Sequence, residues 1–233
     1  MNNLPFTFVL GVIAVVVIMR LVSVLGRRTG SEKPPFDPYA PRSSDRGAGP
    51  ENVLTLPRTK ALPRPTAPDQ LADTIKVMAP DGSALAAQLQ AIAAIDKAFN
   101  PQQFLAGARK AYEIIVTAFA EGDRKTLKPL LSREVNDGFV AAIADREAKE
   151  QKIEFKFVGV QKADLTEASL RDQTAQVTVR FVSSLVSATR DKTGQVVDGD
   201  PSHVAEVTDV WTFARDVRSS DPNWKLVATE SVD

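Results

Sequence analysis

The sequence predicts an α+β fold in which helices pack on one face of a curved antiparallel sheet. Two observations lead to this prediction. Up to about residue 150, apolar residues recur at the 3.6-residue spacing of helices, most regularly between Asn100 and Asp123. From Lys152 onwards, apolar and polar residues alternate, and polar turns separate the alternating runs at hairpin spacing. Helices followed by antiparallel strands bury their apolar faces against one another, which gives the α+β class.

Residues 4–25 predict a single transmembrane helix. The run LPFTFVLGVIAVVVIMRLVSVL contains one charged residue, Arg20, near its end. A helix of about 20 apolar residues spans a bilayer, and an arginine near its end can reach the headgroups. A cleaved signal peptide fits less well, because no basic residue precedes the run and no small-x-small site follows it. We therefore expect the chain to contact membrane lipid through this helix.

Basic residues predict the orientation of that helix. Arg27 and Arg28 follow the apolar run, with Arg20 close by, whereas the side before the run has no lysine or arginine. The positive-inside rule places such a basic flank in the cytoplasm. We expect Arg20, Arg27 and Arg28 to mark the membrane boundary, with the N-terminus outside and the C-terminal domain in the cytoplasm.

Residues 26–68 predict a disordered linker. This segment contains most of the chain's 15 prolines, together with scattered Arg, Ser and Gly. Such a composition buries too little apolar surface to offset the entropy lost on ordering. Two short apolar islands, residues 36–39 and 53–57, leave open whether the linker is a passive tether or carries motifs that dock on a partner.

Residues 70–99 predict accessory helices. Residues 70–78 form a short one that stops at Pro80-Asp81-Gly82. From Ser83, a capping residue, a second helix places Leu85, Leu89, Ile92, Ile95 and Phe99 on one stripe. We expect this stripe to pack on the domain, the alternative being that it lies on a membrane or a partner.

Residues 100–230 predict the folded domain, which begins with its longest helix. Asn100 suits the N-cap, Pro101 the first helical position and Gly122 a left-handed stop. The expected buried face consists of Phe104, Ala108, Tyr112, Ile115, Val116 and Phe119. A short helix then ends near Pro129, and another begins after Ser132. The predicted strands are residues 152–160, 175–183, 204–217 and 224–229, with a hairpin turn at residues 191–194.

Composition excludes several classes of function. The formal net charge is zero and no basic stripe stands out, which argues against a nucleic-acid partner. The chain has no cysteine, so disulfides, thiolate metal sites and a cysteine nucleophile are excluded. A single histidine, His203, cannot form a zinc site of several imidazoles. No phosphate-binding loop or metal-ligand spacing is present, and we expect no cofactor and no metal.

Five residues deserve comparison as acid–base candidates: Asp209, Glu206, His203, Tyr112 and Asp200. Asp209 shares strand parity with Trp211 and Phe213, so it could point into an apolar interior where desolvation would raise its pKa. Alternatively, it lies at the mouth of the sheet or pairs with Arg180 on a neighbouring strand. Tyr112 is expected in the core with a satisfied hydroxyl, and His203 in an exposed loop. We expect no catalytic residue.

Arginine–aspartate dipeptides recur at two strand ends. Arg190 precedes Asp191, and Arg215 precedes Asp216. Charged pairs at these positions predict links between neighbouring strands on the solvent side, each contributing little to stability if it is exposed.

Consecutive blocks of this sequence resemble the Tim44-like domain. The blocks are PQQFLAGARKAYEIIVTAFAEGDRKTLKPLLSREVNDGF, VTVRFVSSLVSATRD and GDPSHVAEVTDVWTFARDVRSSDPNWKLVAT, and they span about residues 101–229. The predicted anchor and Pro-rich linker resemble those of the bacterial, alphaproteobacterial-type members. The resemblance implies a targeting peptide and a chaperone-recruiting N-terminal region in the mitochondrial relatives, and we expect neither feature in this sequence.

The resemblance implies a fold similar to nuclear transport factor 2, a cone-shaped sheet wrapped by helices around an apolar pocket. It also implies a membrane-tethered adaptor in protein translocation or membrane-protein quality control, without catalysis, binding clients, translocation components or a chaperone. The alternative is a domain of this fold that binds a lipid or small molecule. We expect the pocket to be lined by Phe104, Tyr112, Phe119, Phe139, Phe181, Trp211 and Phe213, unless these seven side chains fill the core.

Overall fold

Helices precede strands along the chain, as the sequence predicts. The computed structural model describes residues 68–232. The predicted transmembrane helix, with Arg20, Arg27 and Arg28, and the predicted linker up to residue 67 lie outside the described residues. Among the described helices, none has the length and apolar character needed to cross a membrane.

The helices of residues 68–232 begin and end at residues whose side chains suit those positions. Ser83, Asn100, Asp123 and Ser132 each accept a hydrogen bond from a backbone N–H in the first turn of the helix that follows. Local capping therefore explains most of the helix starts. The helices are α1 (Pro68–Met78), α2 (Ala84–Ile95), α3 (Pro101–Glu121), α4 (Arg124–Leu127) and α5 (Arg133–Ala148).

The central helix α3 confirms the prediction at both ends. The side chain of Asn100 accepts from the backbone N–H of Gln103 at 3.0 Å, and Pro101 is the first helical residue. Gly122 ends the helix with a φ of 75°, a conformation that disfavours a side chain. Next to this terminus, Arg146 of α5 donates to the carbonyls of Phe119 and Ala120, so the guanidinium supplies donors in the last turn, where intrahelical N–H groups run out.

The strands of residues 68–232 form one antiparallel sheet in the order β1-β2-β4-β5, with β3 paired to β2. Helices α2 and α3 contact β1, and α5 contacts β5. The α+β prediction is thus confirmed. The strands are β1 (Lys152–Arg171), β2 (Thr174–Arg190), β3 (Val196–Gly199), β4 (Ala205–Asp216) and β5 (Lys225–Val232).

The first strand is longer than the sequence predicts. It continues past Val160 to Arg171 and joins β2 through a turn at Asp172 and Gln173. Three register shifts, the last between Leu165 and Glu167, interrupt its pairing with β2. Each bulge adds a residue and breaks the two-residue alternation, so the sequence signal fades while the strand continues. Strand β3 was also missed, because it has only four residues.

The accessory helix α2 packs on the core, as expected. Leu89 and Ile92 are fully buried and belong to the same apolar cluster as Tyr112 and Phe181. The prediction for Ile95 was wrong, because its side chain is 58% exposed. Helix α2 ends at Ile95, and the chain turns there so that the next residue, Asp96, points inward instead.

One of the two arginine predictions is confirmed and the other was wrong. Arg190 pairs with Glu154 across β1 and β2, through an Nε–Oε1 distance of 2.7 Å. Arg215, by contrast, does not link strands on the solvent side. Its side chain is 10% exposed and donates to Asp96, which is 8% exposed, below the C-terminus of α2. Asp96 directly follows α2, so the pair joins the end of this helix to the end of β4.

Candidate functional site

An apolar cavity of about 100 Å³ lies between α3, α5 and one end of the sheet. Aromatic and aliphatic side chains form most of its wall, and the ionisable side chains that point into it are Tyr112 and Asp209. Glu230 also borders the cavity, but it is exposed and lies opposite Val210, so its side chain projects from the other face of the sheet. Among the described residues, no lysine, arginine or histidine lines the cavity. The lining residues are Tyr112, Ile115, Val116, Phe119, Ala120, Phe139, Ile153, Phe155, Leu185, Ser187, Asp209, Trp211, Thr229, Glu230 and Ser231.

Helical and strand periodicity together place these side chains on one site. Tyr112, Val116 and Phe119 recur on one face of α3. On β4, Asp209 and Trp211 are two residues apart, so both point to the face that α3 covers. The cavity is therefore a gap where the covering helix and the sheet diverge, close to the start of β1 and the end of β5.

A buried cluster of three polar side chains stands at the wall of this cavity. The hydroxyl of Tyr112 donates to Oδ2 of Asp209 at 2.6 Å and lies 2.9 Å from Oγ of Ser183. Because tyrosine has a single hydroxyl proton, Ser183 donates to Tyr112 when Tyr112 donates to Asp209. Tyr112 and Ser183 are fully buried, and Asp209 is 8% exposed. The cluster is thus a short relay of hydrogen bonds held away from water.

Burial sets the protonation of this cluster. Loss of solvation raises the pKa of the Asp209 carboxyl to about 6, although the hydrogen bond from Tyr112 opposes the shift. The pKa of the Tyr112 hydroxyl is raised well above its ordinary value, first by burial and then by the adjacent carboxylate. Asp209 therefore changes charge near neutral pH, whereas Tyr112 stays protonated.

The structure decides between the two expectations for Asp209. Its side chain points into the apolar interior, and the alternative pairing with Arg180 was wrong. Arg180 is exposed and lies opposite Val210, so its side chain projects from the other face of the sheet. The expectation for Tyr112, a core residue with a satisfied hydroxyl, is confirmed. The remaining candidates stand apart from the cavity: Glu206 and His203 are exposed, and Asp200 accepts from Ser202 in a turn.

The seven aromatic residues predicted to line a pocket are divided among three places. Tyr112, Phe119, Phe139 and Trp211 line the cavity. Phe181 lies behind it, fully buried and stacked on Tyr112 with ring centroids 4.6 Å apart. Phe104 and Phe213 instead pack at the other end of α3. There they help to line a groove of about 420 Å³ with Phe99, Trp224 and Arg215. The sequence brought all seven to one side of the sheet but did not separate the two sites.

Sequence reasoning missed Ser183, although a signal for it exists. Val177, Val179, Phe181 and Ser183 share the parity of β2 residues that face the helices. A serine in that series is a polar group at a buried position, which requires a hydrogen-bond partner. Within residues 68–232, no group of three or more His, Cys, Asp and Glu side chains is arranged to hold a metal ion.

Comparison with protein families identifies a match over most of this region. A family model described as the Tim44-like domain matches residues 85–231. Mitochondrial import inner membrane translocase subunit TIM44 of Homo sapiens is 24% identical over 142 residues, which cover 60% of this chain and 31% of the human protein. The same subunit of Rattus norvegicus is also 24% identical, with the same coverage. The chain therefore spans about a third of the length of the curated relatives it matches.

Solved structures with partial similarity to this chain were also found. The intermembrane space region of the chloroplast protein ARC6 has a TM-score of 0.40 and 10% identity, covering 55% of this chain and 95% of that one. A ketosteroid isomerase-like protein from Erwinia carotovora atroseptica has a TM-score of 0.33 and 14% identity, covering 58% and 99%. We draw no functional conclusion from similarities at this level.

Proposed function

This chain belongs to the Tim44-like domain family, and we propose that it is a membrane-tethered adaptor without enzymatic activity. It would act in protein translocation or in the assembly and quality control of membrane proteins. The observation that carries this proposal is the family match over residues 85–231, because the curated relatives are named as subunits of an import translocase. The partners of such an adaptor are proteins, namely clients, translocation components or a chaperone.

The geometry of the cavity supports a binding role within this proposal. Its walls are mostly apolar, and Phe119 and Phe139 form an edge-to-face pair with ring centroids 5.0 Å apart beside it. At about 100 Å³, the cavity is smaller than the 300–1,000 Å³ of typical drug-sized sites. It suits a single side chain of a client better than an extended segment. The rim residues Thr229 and Ser231 belong to β5, at the edge of the sheet.

The proposed tether is the apolar run at residues 4–25. We propose a single helix in a bacterial inner membrane, with its N-terminus outside and the folded domain in the cytoplasm. The basic residues Arg20, Arg27 and Arg28 support this orientation through the positive-inside rule. A tether would hold the domain close to emerging substrates and raise its effective concentration there.

Single-cysteine crosslinking tests the binding role. The chain has no cysteine, so Ser231→Cys at the cavity rim gives one labelling site. A short photoreactive arm on that cysteine is expected to crosslink a translocating precursor in membrane vesicles that contain the full-length chain. Ser220→Cys, in an exposed turn outside the cavity, is the matched control and should give little product. Equal crosslinking from both positions, or none from Ser231→Cys, would contradict a client site at the cavity.

A reporter fusion tests the proposed topology. Alkaline phosphatase, which folds only in the periplasm, is expected to be inactive when it is fused after Asp233 and active when it is fused before residue 4. The expectation follows from the basic flank after the apolar run. Changing Arg27 and Arg28 to glutamine while adding two lysines before residue 4 should reverse the two activities. An active C-terminal fusion on the unmodified chain would refute the proposed orientation.

A second candidate function rests on Asp209 itself. A carboxyl group with a pKa of about 6, placed in an apolar cavity, has the properties of a general base for a small molecule. Its hydrogen bond to Tyr112 would orient it. If the chain is such an enzyme, it converts a small-molecule substrate, and the Asp209→Asn variant loses this activity. Retention of the thermal unfolding transition would show that the variant is still folded. In the absence of such a turnover, binding is the better account of the site.

A further inference from the structure

We propose that the cavity binds an alkylammonium group, meaning a short aliphatic chain that ends in a protonated amine, with the ammonium paired to Asp209. The inference deepens the proposed client site by naming the chemistry that it selects. Three features of the cavity carry it: its apolar walls, the charges of its lining and the geometry of the carboxylate.

The walls fit the aliphatic part of such a ligand. Ile115, Val116 and Leu185 face the cavity together with the aromatic rings of Phe119 and Phe139. An aliphatic chain loses contact with water when it enters such a site, at roughly 25 cal/mol per Å² of apolar surface buried. The small volume, about 100 Å³, limits the chain to a few carbon atoms. These walls alone do not distinguish an amine from an alcohol or a carboxylic acid.

The charges of the lining make that distinction. Asp209 is the acidic side chain that points into the cavity, and no basic residue is among the described residues that line it. A ligand carboxylate or phosphate would meet like charge there and find no cation to pair with. A cationic head would instead neutralise the desolvated carboxylate of Asp209. This pairing is favourable because a buried charge without a partner is costly.

The carboxylate of Asp209 has an oxygen available for this contact. Its Oδ2 accepts from Tyr112, whereas no hydrogen bond from the described residues reaches its Oδ1. Asp209 lines the cavity, and its side chain is more than nine-tenths buried. An ammonium has three donors and no acceptor, so one donor suits Oδ1 and the others could reach carbonyl or hydroxyl oxygens nearby. Tyr112 holds the carboxylate in place during this contact.

Two sources supply this chemistry. A free alkylamine is one, and the side chain of lysine, a four-carbon stem that ends in an ammonium, is the other. The lysine source rests on the proposed client-binding function. A lysine of a client would enter past the rim formed by Thr229, Glu230 and Ser231.

Titration of the purified full-length chain tests the proposal. Of the two tryptophans, Trp211 lines the cavity and Trp224 lines the other groove, so Trp224→Phe leaves Trp211 fluorescence as the reporter. At pH 8, n-butylamine is expected to bind at least about tenfold more tightly than n-butanol, because a charge-assisted hydrogen bond is stronger than a neutral one. Butyrate should bind more weakly than either. Equal affinity for the three probes, or a preference for butyrate, would overturn the proposal.

Variants assign the effect to Asp209. In Asp209→Asn, the preference for n-butylamine over n-butanol should disappear while n-butanol binding is retained, which also shows that the cavity is still formed. Glu206→Gln removes the same charge from an exposed position of β4 outside the cavity and should leave the preference unchanged. Loss of the preference in both variants, or in neither, would overturn the role of Asp209.

The dependence on pH provides an independent readout. The titratable side chains that face the cavity are Asp209 and Tyr112, while Glu230 borders it from the other face of the sheet. Because an alkylamine is a stronger base than these groups, n-butylamine stays protonated between pH 5 and pH 8. Affinity for n-butylamine should therefore fall as pH drops below about 6, where the Asp209 carboxyl takes up a proton. Glu230→Gln should keep this dependence. An affinity that is the same at pH 5 and pH 8 would contradict pairing with Asp209.

Peptides separate the two sources of the amine. Binding of Gly-Gly-Lys-Gly-Gly, but not of the same peptide with norleucine in place of lysine, would support a client lysine as the ligand. Binding of n-butylamine without the peptide would support a free alkylamine. If neither binds while Ser231→Cys still crosslinks a precursor, the alkylammonium proposal is wrong and the adaptor function stands. If n-butylamine binds but no precursor crosslinks, the client site at the cavity is wrong and the amine site stands.

Discussion

Replacing Asp209 with asparagine is expected to stabilise the domain by about 3 kcal/mol at pH 8 and to leave its stability at pH 4 nearly unchanged. The reason is that ionised Asp209 is desolvated and that no cation is among the described residues that line the cavity. Asparagine has the same shape, can still accept the hydrogen bond from Tyr112, and introduces no charge. The Asp209→Asn substitution thus removes the free-energy cost of burying a carboxylate, which exists only at higher pH.

The sign of this effect follows from the direction of the pKa shift. Folding raises the pKa of Asp209 from 3.8 to about 6, so the folded chain holds this proton more tightly than the unfolded chain does. The resulting stabilisation is fully present below about pH 4 and is lost as pH rises through about 6. The asparagine variant has no such proton to lose. The difference between the two proteins should therefore grow between pH 4 and pH 7 and then level off.

Urea unfolding of both proteins between pH 4 and pH 8, followed by tryptophan fluorescence, measures this difference. Other titrating groups contribute equally to the two proteins and cancel. Asp145→Asn is the matched control, because Asp145 is exposed and pairs only with Lys149 one turn away. Its difference from the parent chain should stay within about 1 kcal/mol at every pH. A difference for Asp209→Asn that is constant with pH would show that Asp209 is solvated in the folded protein.

Replacing Asp96 with alanine is expected to destabilise the domain by about 3–5 kcal/mol, the cost of leaving one partner of a buried ion pair alone. Asp96 is 8% exposed and accepts from Arg215, which is 10% exposed. Burial already lowers the pKa of the Arg215 guanidinium, and its Nε has no hydrogen-bond partner among the described residues. Loss of the carboxylate would leave this guanidinium buried beside Trp224, 5.8 Å from the ring centroid, without a counter-charge.

Chemical denaturation again provides the measurement, and a double variant provides the control. Asp96→Leu combined with Arg215→Met removes both charges and should recover most of the lost stability, because apolar residues of similar volume often replace a buried pair without cost. Asp145→Ala, which breaks the exposed pair with Lys149, should cost less than about 1 kcal/mol. A loss of similar size for Asp96→Ala and Asp145→Ala would mean that water reaches the Asp96–Arg215 pair in solution.

The buried charges at the two ends of α3 differ in whether they are neutralised. At one end, Asp209 lacks a counter-charge and faces an apolar cavity. At the other end, Asp96 and Arg215 neutralise each other in the wall of the groove that Phe104 and Trp224 also line. Only the first end has a buried charge that a ligand could neutralise. This difference in charge compensation is the reason that we place the binding function at the cavity.

Local sequence alone determined the helices and the fold class. Asn100, Pro101 and Gly122 fix the ends of α3 through the backbone groups next to them, so no distant contact is needed to predict them. The alternation in β4 likewise put Asp209 and Trp211 on one face. Where a bulge added a residue, as in β1 beyond Val160, local periodicity no longer predicted the strand.

Only the tertiary structure decided which side chains meet. Tyr112 bonds to Ser183 and Asp209, which are 71 and 97 residues away along the chain, and Asp96 meets Arg215 at a separation of 119 residues. Such contacts depend on strand register and on where a helix crosses the sheet, and a shift of one residue in either would separate them. Periodicity tells which residues face inward. Where the inward face of α3 meets the inward face of the sheet determines which side chain bonds to Asp209 and how deeply Asp209 is buried. Its burial in turn determines its charge.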